Sequence, residues 1–434
     1  MVVTIVVLLI LAGVSISLIV DNNGIIKRSK DARKQYGEAQ ANEQEQMEDI
    51  SDWIDEQATG KVSEKVKNFK TAKDENTTIN GEEGNSNNPT IPAGYVPINT
   101  DTSNWGDGTS APTQDSVDHG LVIRDNSNNE WVWIPVSDVT VMCDTANETE
   151  YTLCGTSGET AVKTKLYSST ITIGKESNTK TITRTTPGNS SSYETYREPD
   201  LIVDNNKYYD ASSSYYKEKL EFESKEKMAE AFVADYSEMI ESIKTYGGFY
   251  IGRYELSYEG VQKNKQTLVH TNWYDLYAAC KSLNASDKVK TRMIWGCQWD
   301  VTCDFIANKG DKKDIVDSSS WGNYYITSVK ADDGTTEIKA SETDAVLNTG
   351  VTTFTMANNI YDLAGNCDEW TQEANNTIYR AIRGGHFATV DSDDNYSVSY
   401  RDGYYTGYVP GSMLPDAGAI RGTGGTRPTL IIRV

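Results

Sequence analysis

The chain has 434 residues, length enough for two or three folded units at roughly 100–200 residues each. Its 41 basic and 63 acidic residues give a formal net charge of −22. That balance excludes a nucleic-acid partner and a peripheral grip on anionic lipid, because both rely on clustered Lys and Arg. Six Cys and three His, scattered along the chain, also exclude a zinc ribbon or a histidine-rich metal centre.

Val2 to Val20 carries no charged side chain, and only Thr4, Ser15 and Ser17 are polar. As a helix it rises about 28 Å, close to a hydrocarbon core of roughly 30 Å. A secretory signal has a shorter apolar region, and a buried core helix is seldom apolar on every face. After Asp21-Asn22-Asn23-Gly24, the spacing of Ile25, Ala32, Tyr36, Ala39, Met47, Ile50 and Ile54 continues an amphipathic helix to about residue 59. The run VVTIVVLLILAGVSISLIVDNNGIIKRSKDAR resembles the pilin-type N-terminal helix of clostridial surface proteins. That resemblance implies a membrane anchor or pilus assembly through residues 2 to 20, and a basic leader with a cleavage motif encoded before Met1. Lys27, Arg28, Lys30, Arg33 and Lys34 lie on the other flank, and such a leader would restore the charge balance.

Residues 60 to 92 turn polar, ending in NGEEGNSNNPTIP, and are expected to be a flexible linker. A head from 93 to 434 follows. Alternation returns at Tyr95-Val96-Pro97-Ile98, and Glu130 to Val136 reads as a strand. From about 137 to 216 the chain is rich in Thr, Ser and Asn, with short runs such as TITIG, and is expected to form an inserted, exposed β subregion. Glu226 to Thr245 is a helix by the spacing of Met228, Ala231, Phe232, Met239, Ile240 and Ile243.

Seven segments then occur in order. They are Gly247-Gly248-Phe249-Tyr250-Ile251-Gly252-Arg253-Tyr254-Glu255, Asn272-Trp273-Tyr274-Asp275-Leu276, Gln298-Trp299-Asp300, Trp321-Gly322-Asn323, NNIYDLAGNCDEW from Asn358 to Trp370, Arg383-Gly384-Gly385-His386-Phe387, and Gly425-Thr426-Arg427-Pro428. Together they resemble the formylglycine-generating enzyme family, also called the sulfatase-modifying factor domain. The resemblance runs from about Trp131 to Val434 and implies an α+β head, irregular and related to the C-type lectin fold. Abundant Gly, Trp and Asn suit a domain held by turns, buried aromatics and side-chain hydrogen bonds.

The family's oxidation of a substrate cysteine uses copper on two thiolates, between the Arg-Gly-Gly motif and the terminal Arg. Here His386 to Gly425 contains no Cys, and Cys367 stands where the family carries an apolar residue. The three-histidine iron branch has no counterpart in His119, His270 and His386. No catalysis and no copper are therefore expected. Asp362, Asp368 and Glu369 are expected to be a solvated acidic face, His386 a structural histidine, and Gly422 to Gly425 no phosphate cradle. The family's turn, Gly365-Asn366-Cys367-Asp368-Glu369-Trp370, implies calcium on Asn366 and Glu369. The alternative, in which Asn366 only bonds the turn's own backbone, stands beside it. Cys143 and Cys154 are spaced to staple a hairpin, but six Cys allow 15 pairings.

The composition between His386 and Arg421 places Tyr396, Tyr400, Tyr404, Tyr405 and Tyr408, with Arg401, among Ser, Asp, Asn and Gly. This mix resembles an antibody paratope, with rigid Tyr contact area and adaptable polar groups. In some relatives of this fold the same interval is the ligand-binding surface, in a subset diversified by a retroelement, and this interval looks similar; the alternative is that these tyrosines only fill the irregular core. The sequence thus favours a cell-surface, membrane- or filament-anchored protein that binds an extracellular glycan or protein. A formylglycine-generating-type oxidase and a structural pilin-like filament subunit are the alternatives.

Overall fold

The computed structural model describes residues 72 to 434, apart from 107, 109, 144 to 147, 155 to 161, 168, 176, 185 to 195, 199 to 221, 224, 270, 285, 376 to 378, 390 to 395 and 406 to 423. The expected N-terminal helix of residues 1 to 59 lies outside the described residues. Among the described residues, no helix is long and apolar enough to cross a membrane.

The chain from residue 72 on is mixed α/β, with open sheets and few helices. Its main sheet has six antiparallel strands in the order Tyr95–Ile98, Val122–Asp125, Glu130–Pro135, Gly248–Gly252, Pro428–Ile432, Val289–Met293. The inner strands read EWVWIP, GFYIG and PTLII, almost without polar breaks. Strand alternation explains this, because both faces of the sheet are covered. Val132, Ile134, Phe249, Ile251 and Ile431 join one apolar cluster, whereas Trp131, Trp133, Tyr250, Leu430 and Ile432 join a second.

The first cluster is closed by three helices, Lys225–Tyr246, Trp273–Ser282 and Gly296–Asn308. The long helix buries Met228, Phe232, Met239, Ile240 and Ile243 at the expected spacing. Asn272 caps the second helix, its side chain accepting from the Tyr274 and Asp275 N–H groups at 3.0 and 3.1 Å. Burial of Trp131, Trp133, Trp273, Trp295, Trp299 and Trp370 is essentially complete.

A second sheet runs Arg401–Tyr405, Tyr379–Arg383, Asp368–Asn375, Gly424–Thr426. Its ladders are antiparallel except the last, where Asp368 to Trp370 lie parallel to Gly424 to Thr426. Arg401–Tyr405 is an edge among the described residues.

Two expectations need correction. Residues 72 to 92 are not a spacer. Ile79 and Ile91 are buried in the second cluster, Thr77 bridges to Ile91, the Trp133 indole donates to Ser86 O at 3.0 Å, and the Tyr250 hydroxyl donates to Thr90 O at 2.9 Å. The Asn side chains that made the segment look disordered are its fasteners: Asn85 Oδ1 accepts from Asn87 N and Asn88 N, and Asn76 Oδ1 from Ala93 N.

The insertion is not wholly exposed either. Strands Ser169–Lys175 and Asn178–Arg184 pair as a hairpin, and Ile171, Ile173 and Ile182 enter the first cluster. The outer face is threonine, with Thr170 opposite Thr183 at 3.3 Å and Thr172 opposite Thr181 at 3.0 Å. Lys175 Nζ reaches Lys312 O, Asn178 reaches Asp314, and Lys180 Nζ reaches Ser399 O. The second hairpin, Glu148–Cys154 with Val162–Tyr167, includes Cys154, whose side chain lies outside the described residues, as does any test of the Cys143–Cys154 staple.

Candidate functional site

The segments far apart in sequence meet at the junction of the two sheets. Arg427, between the last strands of the two sheets, is fully buried. Its guanidinium donates to Glu369 at 2.7 Å, to Gly252 O at 2.9 Å and to Tyr361 O at 2.8 Å. Glu255 accepts from the Thr267 hydroxyl at 2.5 Å, from Asn366 Nδ2 at 2.6 Å and from Cys367 N at 3.2 Å. Asp362 sits at φ 57° and accepts from Thr355, Thr349 and the Gly350 N–H. Burial pushes the carboxyl pKa of Glu255 well above its ordinary value, and the charges of Asp362 and Glu369 add to the rise. Burial likewise raises Asp362 and Glu369, although hydrogen bonds to Asp362 and the charge of Arg427 beside Glu369 oppose it.

Asp362, Asp368 and Glu369 are therefore not a solvated face; all three are buried. A buried carboxylate is tolerable only when hydrogen-bonded or matched in charge, and for Asp362 and Glu369 the hydroxyls, N–H groups and Arg427 supply that. The same geometry bears on calcium. Asn366, at φ 59°, accepts on Oδ1 from Asn323 Nδ2 and from Leu347 N, both at 2.9 Å. Glu369 faces the Arg427 guanidinium with both oxygens. The donors present do not fit a cation in this arrangement, since calcium there would have to displace Arg427. Asn366 bonds not its own turn but three remote segments.

A second charged row crosses the second sheet. Glu369, Arg383 and Arg401 lie opposite one another by strand register. Arg383 is fully buried, donates to Asp300 at 2.6 Å and lies 3.9 Å from Glu373. Arg401 donates to Glu373 through Nε at 3.0 Å and also through Nη2. Composition alone hid this row. Its members stand on three strands that come together only in the fold.

The cysteines of this region are apolar core. Burial raises the thiol pKa of Cys280, Cys303 and Cys367. A protonated thiol is neither a nucleophile nor a soft-metal ligand. Among the described residues, no group of three or more His, Cys, Asp or Glu is arranged to hold a metal ion. Half-buried His386 accepts on Nδ1 from Ala388 N at 3.1 Å, and its Nε2 lies 3.9 Å from Asp368. Gly424 and Gly425 are strand residues.

The expected binding residues separate. Tyr396 packs edge-on against Tyr324 at 5.4 Å, and Tyr396 and Tyr400 both lean on the first cluster, partly buried. The Tyr400 hydroxyl donates to Asp402 at 3.1 Å. Arg401 is bound to Glu373, as above. Tyr404 and Tyr405 belong to the edge strand, with side chains outside the described residues, where Tyr408 also lies.

No protein-family model matches the chain, and no curated protein does. Among solved structures, variable protein 1 of Treponema denticola is similar at 15% identity over 43% of this chain and 85% of that one, with a TM-score of 0.24.

Proposed function

We propose that this is a surface-displayed, membrane- or pilus-anchored ligand-binding protein with a formylglycine-generating-enzyme-like, C-type lectin-like head that lacks the family's catalysis. One observation supports this reading above the others. The side chains of the motifs that suggest an enzyme, Glu255, Asp300, Asn366, Glu369, Arg383 and Arg427, are buried and bonded to one another or to remote backbone. They hold a rigid frame and leave no described thiolate pair for copper. A rigid frame that carries adaptable loops is the arrangement binding surfaces use.

The ligand is an extracellular glycan or protein, and its contact face includes the edge strand Arg401–Tyr405 with Tyr408. Arg401 serves the frame through Glu373, so the binding energy falls to Tyr404, Tyr405 and Tyr408. The test is a Tyr→Ala scan of Tyr396, Tyr400, Tyr404, Tyr405 and Tyr408, read by thermal melting and by adhesion to cells or a glycan array. Substitution of Tyr404, Tyr405 or Tyr408 is expected to cost roughly 2 kcal/mol or more of binding at unchanged melting temperature. Tyr396→Ala is expected to lower the melting temperature. Uniform destabilisation without selective loss of binding would refute the assignment.

A further inference from the structure

We propose that Tyr196 to Glu198, the returning end of the insertion, is a latch that closes over the first turn of the Gly296–Asn308 helix and locks the second sheet. Tyr196–Arg197 pairs with Asn375 and Ala374, a two-residue ladder too short to hold by itself. Glu198 completes it. This buried carboxylate accepts from Gly296 N and, at 3.1 Å, from Cys297 N.

The first N–H groups of a helix have no partner within it and form its positive end. The residue before the helix, Trp295, has no side-chain acceptor to offer them. Glu198 supplies from a distant segment the cap that the local sequence lacks.

Glu373 closes on the same point from the second sheet. A Cβ on Gly296 would come 2.6 Å from Glu373 Oε2 and 2.8 Å from Glu198 Oε1, so any larger residue would push these carboxylates from their present places. Two like charges converging on one helix end repel each other. The helix end itself, Arg401 and Arg383 oppose that repulsion, and Asp300 shares Arg383. The contacts of the latch run from the insertion through the helix end and Glu373 to Arg401, the first residue of the edge strand. Where the edge strand is the contact face, as in the function proposed above, the latch presets that face for its ligand. This last step rests on that reading; the latch does not.

The buried Cys297 reports the state of the latch without any ligand. The full chain, under native conditions, is treated with iodoacetamide and the alkylated peptides are quantified over time. Glu198→Ala and Gly296→Ala are each expected to speed alkylation of Cys297 about tenfold, as loss of a helix cap predicts. Glu198→Gln, which keeps one acceptor oxygen, is expected to have a smaller effect. Cys280, Cys303 and Cys367 are expected to keep their wild-type rates. An unchanged Cys297 rate in Glu198→Ala would overturn the proposal, and so would a parallel rise at all four cysteines, which is global loosening. Loss of the Tyr404 and Tyr405 binding assignment would leave these rates as they are, so the two readings fail separately.

Discussion

At the scale of single residues, the head is organised by charge taken out of water. Glu369 is bonded to Arg427, whose charge also reaches Glu255 and Asp362, and all three carboxyl pKa values are raised, burial first. The sign of the consequence follows from linkage. A carboxyl whose folded pKa exceeds its unfolded value binds more protons when folded, so its contribution is full below the unfolded pKa and is lost as pH rises through the folded one. The melting temperature is therefore expected to climb as pH is lowered from about 8 to about 5, within the window above ordinary carboxyl values. Glu255→Gln is expected to flatten that slope, whereas the exposed Glu241→Gln is expected to leave it unchanged. A flat profile in the wild type would contradict the cluster's role.

Asn366 gives a second residue-scale outcome. Its left-handed backbone and its bonds to Asn323, Leu347 and Glu255 make Asn366→Ala costly, roughly 3 kcal/mol, with or without calcium. Calcium is therefore read on the unmutated protein, where EDTA is expected to leave the melting temperature unchanged; a drop would restore the ion. The sequence pointed to Asn366 and Glu369 but not to their use, because a Gly-Asn turn looks alike whether its oxygens face an ion or another loop. Glu255, Arg383 and Arg427 were legible only as parts of motifs, since their pairing depends on strands distant in the chain.

At the scale of elements, regular periodicity was the reliable guide. The Glu130 strand and the long helix, Lys225–Tyr246, stand where alternation and three-to-four spacing place them, to within a residue or two. Polar composition misled. Residues 72 to 92 and the Ser169 to Arg184 hairpin lack apolar runs, yet both pack, one by Asn side chains on backbone and one by Ile171 and Ile173 on one strand with Ile182 opposite Ile171 on the other. In the hairpin the signal was present in TITIG and KTITR, half hidden by the threonines of the outer face. Ile173→Ala is expected to destabilise the head by about 2–4 kcal/mol in chemical denaturation. Thr172→Ala, one residue away on the outer face, is expected to change stability by no more than about 0.5 kcal/mol. Equal small effects would return the hairpin to the surface.

At the scale of the whole molecule, a chain of net charge −22 carries three of its cations deep into the core: Arg380, Arg383 and Arg427 are among its largest fully buried side chains. Such pairs add little net stability over apolar packing, but breaking one leaves a buried charge unmatched. They fix which strand meets which. In the reading proposed here, the enzyme-like motifs serve that purpose, and the head binds without turning over a substrate. The most direct measurement of this claim is to incubate the purified chain with Cu(I) and a cysteine-containing peptide in air, following copper stoichiometry and peptide mass together. No stoichiometric copper and an unaltered peptide are expected, because His386 to Gly425 has no cysteine and burial raises the pKa of the described core thiols Cys280, Cys303 and Cys367. One copper per chain with conversion of the cysteine to an aldehyde would contradict the claim.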